Sequence, residues 1–74
     1  MRKSFRVSGQ MTYQPINGGF WGIIDDKGEY WRPVHCPDQL KIDGKKVTVK
    51  LREVEEGFSM FMWGTPVEVV SFST

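Results

Sequence analysis

From Phe5 to Tyr13 the chain alternates, with Phe5, Val7, Gly9, Met11 and Tyr13 separated by Arg6, Ser8, Gln10 and Thr12. Consecutive side chains of an extended strand point to opposite faces, so this period of two predicts a strand with one apolar face. The pattern returns at Val47, Val49 and Leu51, separated by Thr48 and Lys50 and followed by Arg52. A helix would scatter these apolar side chains around its axis. Composition points the same way. The 74 residues include no alanine and two leucines, Leu40 and Leu51, against sixteen Val, Ile and Thr and ten aromatic residues. Ala and Leu favour helices, whereas β-branched and aromatic side chains favour strands. The composition argues against a helical bundle, and a chain about a quarter charged with balanced signs lacks the composition of a disordered one.

Turn residues divide the rest. Pro15 and Asn17-Gly18-Gly19 end the first strand, with Gly9 at its centre marking a bend or a close backbone approach. Phe20 to Ile24 reads as a second strand, Asp25 to Glu29 as a hairpin turn, and Tyr30 to Val34 as a third strand shortened by Pro33. Pro37 and Asp38 suit the start of one short helical turn within His35 to Leu40. Asp43-Gly44 is a turn, the Val47 alternation a fourth strand, and Glu55-Glu56-Gly57 another turn. Phe58 to Trp63 reads as a fifth strand, kinked by Gly64-Thr65-Pro66 and continued by Val67 to Phe72 or followed by it as a sixth. Three strands, a helical turn and two or three more strands predict an all-β, OB-like barrel spanning residues 1–74, with an SH3-like barrel as the alternative.

The formal charge of +1 gives no whole-protein pull toward nucleic acid or anionic lipid. No run approaches the ~18 apolar residues of a membrane span. With one cysteine, Cys36, and one histidine, His35, neither a disulfide nor a four-ligand zinc site is expected, and no cofactor is implied. A cytoplasmic location is expected, or an exported one if the chain is a domain of a longer lipoprotein.

The segments Gly18-Gly19-Phe20-Trp21-Gly22-Ile23-Ile24, Tyr30 to Pro33, and Met62-Trp63-Gly64-Thr65-Pro66-Val67-Glu68-Val69 carry a resemblance covering about residues 9 to 69. Together they resemble a small OB-like β-barrel domain of bacterial and archaeal proteins, some of them exported lipoproteins. That resemblance implies a fold and no catalytic residues. A second, looser similarity is to cold-shock domains. It rests on Gly19-Phe20-Trp21-Gly22-Ile23-Ile24, Asp26-Lys27-Gly28 and Tyr30-Trp31-Arg32-Pro33-Val34-His35. Here Trp21-Gly22 reverses the bulky and small positions of that family, no lysine precedes the glycine, and Pro33 stands where it keeps a binding aromatic. The stacking role it implies therefore carries over only to Phe20, Tyr30 and His35.

One of Phe20 and Trp21, and one of Tyr30 and Trp31, should face outward, either as a stacking platform for bases or as a cover over the barrel mouth. Lys50 and Arg52 lie on the outward face of the fourth strand, with Lys41, Lys45, Lys46 and Arg32 as further cations. Phosphate tracking and a solvated strand face are the two readings. Phe61 and Trp63 should point outward while Met60 and Met62 join the core with Val67 and Val69; Trp63 could instead fold over the Gly64 kink onto the first strand. Adjacent side chains of an extended His35-Cys36 point apart, which disfavours a nucleophile–base pair, and Asp25-Asp26 sits where turns favour Asp. The expectation is a binding or protein-interaction module without catalysis, with single-stranded nucleic acid as the alternative ligand.

Overall fold

The computed structural model describes residues 3–55 and 63–73. The described residues form strands β1 (Ser4–Gln14), β2 (Phe20–Asp25), β3 (Tyr30–Pro33), β4 (Lys46–Glu53) and β5 (Thr65–Ser73), with one 3-10 turn at Asp38–Leu40. The strands close into a barrel in the order β1-β2-β3-β5-β4, and β4 returns to β1. All pairs are antiparallel except β3 with β5. A parallel pair needs a crossover, and here the helical turn and β4 supply it, which is the OB arrangement rather than the SH3-like one.

The alternation in β1 sets the inside of the barrel. Val7 lies opposite Val49, Phe5 opposite Leu51, and Met11 opposite Ile23, which in turn faces Trp31. Val7, Met11, Ile23, Leu40, Val47, Val49, Leu51 and Val67 form the buried core, with Phe5, Trp21, Trp31, Cys36 and Val69 packed around it. Leu40 is fully buried, so the 3-10 turn plugs the barrel with a single leucine.

β1 is long because it serves two neighbours. Residues 4–10 pair with β4 and residues 9–14 with β2. Gly9 belongs to both ladders, and a Cβ there would collide with the Ile24 carbonyl and the Asp25 Cα. The bend expected at Gly9 is therefore a backbone-on-backbone crossing that only glycine permits.

The C-terminal half departs from the sequence reading. Thr65 and Pro66 open β5 instead of kinking it, and Trp63 lies in a bend before that strand. Pro66 fits because its carbonyl accepts from Val54 N while its missing N–H removes no bond the strand needs there. Of the expected fifth strand Phe58 to Trp63, residues 58–62 lie outside the described residues, Met60, Phe61 and Met62 among them, as do Glu56 and Gly57 of the expected turn before it.

Candidate functional site

The outer face of β2 and β3 collects aromatic rings around a glycine. By parity Phe20, Gly22 and Ile24 face outward from β2, and Tyr30, opposite Ile24, faces outward from β3. Trp63 comes from the connection before β5 and lays its indole over Gly22, where a Cβ would otherwise stand. The indole stacks on Tyr30 with centroids 4.8 Å apart and planes at 29°, and meets Phe20 edge-on at 5.4 Å. Its backbone carbonyl accepts a hydrogen bond from Arg32 Nε at 3.2 Å. Trp63 thus packs onto the second and third strands, not the first. Arg32, counted among the cations by sequence, is buried beside it.

Of the two aromatic pairs, Tyr30 is the exposed member at 47% accessibility, while Trp31 turns inward. Phe20 and Trp21 are both half-buried, Phe20 against Trp63 and Trp21 against the core and the Tyr13 ring. The neighbouring residues of β1 are uncharged: Gln14 lies opposite Phe20, Thr12 opposite Gly22 and Gln10 opposite Ile24. Gln14 Nε2 donates to Thr12 Oγ1, and Gln10 Nε2 to the Gly44 carbonyl. Sequence reasoning missed this amide and hydroxyl border, because it follows only from the β1–β2 register.

Lys50 and Arg52 do face outward from β4, yet β1 lies between β4 and β2, and β5 lies between β4 and β3. The barrel therefore keeps these cations apart from the aromatic face. Arg52 is paired with Glu68 across the β4–β5 ladder. His35 is exposed in the bend after β3, and Phe61 lies outside the described residues.

The remaining candidate groups are explained locally. Asp25 Oδ1 accepts from the backbone N–H groups of Lys27 and Glu29, and its Oδ2 accepts from Trp31 Nε1. The indole bond above all, with the two backbone donors and the nearby Lys27 charge, holds the carboxyl below its ordinary pKa against an opposing desolvation. Burial pushes the half-buried Cys36 thiol up; Asp38 adds to this and Lys41 opposes it. Among the described residues, no group of three His, Cys, Asp or Glu side chains could hold a metal ion, and no helix is long and apolar enough to cross a membrane.

Comparison with family models, curated proteins and solved structures finds no match for this chain. The resemblances rest only on the segments that carry them, Gly18 to Ile24, Asp26 to Gly28, Tyr30 to His35 and Met62 to Val69.

Proposed function

We propose that the chain is a non-catalytic binding module that presents the outer face of β2 and β3 to a polypeptide partner. The observation that carries this reading is the Phe20–Trp63–Tyr30 group bordered by uncharged Gln10, Thr12 and Gln14. A half-exposed aromatic surface with amide and hydroxyl neighbours suits the mixed apolar and hydrogen-bonding chemistry of a peptide. Tyr30 is its anchor, because aromatic residues with a polar tip dominate such contacts. A raised thiol pKa makes Cys36 a poor nucleophile at neutral pH, which supports the non-catalytic reading. The lone cysteine suits a cytoplasmic location, with export as part of a longer lipoprotein the alternative.

Single-stranded nucleic acid is the second reading. Its support is that Phe20 and Tyr30, two of the positions to which the cold-shock stacking role carries, share this face. The separation of Lys50 and Arg52 from the rings weighs against it, since phosphate contacts supply most of such affinity.

Peptides selected from a display library should shift the amide resonances of Gln10, Thr12, Phe20 and Tyr30, and Tyr30→Ala should weaken them at least about tenfold. Binders whose footprint avoids these residues would overturn the polypeptide reading. Titration with short single-stranded DNA and RNA at low salt, followed by tryptophan emission, decides the second reading. A response that weakens with salt supports it, and no response at tens of micromolar removes it.

A further inference from the structure

The outer face of β1, β4 and β5 forms a grid set by the strand registers. Its rows are Ser4–Arg52–Glu68, Arg6–Lys50–Ser71 and Ser8–Thr48–Ser73. In the first row the carboxylate of Glu68 neutralises Arg52. The third row is entirely hydroxyl, with Ser8 Oγ and Thr48 Oγ1 3.2 Å apart. The middle row sets Arg6 directly opposite Lys50, and both are exposed. Side chains directly opposite on one face have Cβ atoms about 4.5–5.5 Å apart, and like charges so placed destabilise a sheet. Neither Arg6 nor Lys50 has an ion-pair partner among the described residues. A groove lined by Arg6, Lys50, Thr48, Ser71 and Ser73 runs over this row. On its other side Arg6 lines a second groove with Asp25, Asp26, Lys27 and Glu29, and Asp26 lines a third with Ser8 and Lys46.

We propose that this groove binds an oxyanion of the phosphate class. The Arg6 guanidinium supplies a planar fork of donors, the Lys50 ammonium a second positive charge, and the Ser71, Thr48 and Ser73 hydroxyls neutral donors on the same side. A bound dianion converts the repulsion between Arg6 and Lys50 into two attractions. The site is separate from the aromatic face and stands or falls independently of the reading given for that face.

The test is titration of the whole chain with inorganic phosphate, against chloride at matched ionic strength, followed by amide resonances. Phosphate should shift Lys50, Ser71 and Ser73 saturably, and chloride should not. Arg6→Gln and Lys50→Gln should each weaken phosphate about two- to fivefold, as expected for exposed charges, with the effects multiplying in the double variant. Lys50→Glu should raise the Tm of the phosphate-free protein by giving Arg6 an opposite charge, and should abolish phosphate binding. Tyr30→Ala should leave phosphate binding unchanged. A short oligothymidylate then identifies the source of the anion. Competition at Lys50 and Ser71 assigns the phosphate to a nucleic-acid backbone, and phosphate binding without competition assigns it to a small ion. Equal shifts with chloride, or a phosphate affinity unchanged in the double variant, would overturn the proposal.

Discussion

Trp31 Nε1 donates a 2.9 Å hydrogen bond to Asp25 Oδ2, tying the third strand back to the last residue of the second. The other oxygen of the same carboxylate accepts from the N–H groups of Lys27 and Glu29, so one aspartate closes the hairpin and orients a core indole. The carboxylate is needed in its charged form, and its folded pKa lies below the ordinary value.

A depressed folded pKa contributes stability that is present above the unfolded value, about 4 for Asp, and is lost as pH falls through the folded value. The Tm of the wild-type chain should therefore drop on acidification below about pH 4. Asp25→Asn should lower the Tm at pH 7 and flatten that acid limb, as measured by circular dichroism melts across pH. An unchanged acid limb in Asp25→Asn would assign the loss to other carboxylates.

Gly9 is the position least able to accept a side chain. A Cβ there meets backbone atoms of Ile24 and Asp25, which are held by the β1–β2 ladder and cannot rotate away. Gly9→Ala should cost about 3 kcal/mol or more, at the upper end of the range for overpacking. Urea denaturation followed by tryptophan emission checks this. A loss within about 0.5 kcal/mol, typical of a neutral surface change, would mean that the two ladders can part at Gly9.

Gly22 is also closely covered, but by a side chain. Adding a methyl group there collides with the Trp63 indole, and that ring can swing off the sheet. Gly22→Ala should cost less, about 1–2 kcal/mol. It should also shift the Trp63 Nε1–H resonance strongly and release the Tyr30 ring from its stack. If that resonance stays in place, Trp63 does not lie over Gly22.

These two glycines also mark how far the sequence could be read. Gly9 stood within an alternating run, so a bend there could be foreseen, and the inward Val7, Met11, Val47, Val49 and Leu51 followed from parity alone. The partner of Gly22 could not be foreseen, because Trp63 lies more than forty residues away and nothing local specifies where its ring comes to rest. Thr65-Pro66 misled for a related reason. Proline reads as a break, yet it begins a strand here because only its carbonyl is called on there. The grouping of the candidate residues was the least legible property. Phe20 and Tyr30 share a face because consecutive strands pair, whereas Lys50 and Arg52 lie elsewhere because the ring inserts β1 and β5 between β4 and the aromatic strands.

Cys36 offers a chemical check on how the 3-10 turn is packed. The thiol is half-buried beside the core and donates weakly to the Pro37 carbonyl at 3.6 Å. Desolvation raises its pKa, and Lys41, whose ammonium is paired with Asp38, offsets only part of that rise. Thiolate is the reactive form, so Cys36 should alkylate with iodoacetamide more slowly than a free cysteine at pH 8, and its rate should climb toward higher pH than usual. In urea sufficient to unfold the chain the rate should rise to that of a model peptide. Leu40→Ala removes the side chain that plugs the barrel beside this turn, at a cost of about 2–5 kcal/mol. It should bring the native alkylation rate close to the unfolded one. A thiol that reacts at the model rate in the wild-type native protein would show that the turn does not seal this end of the core.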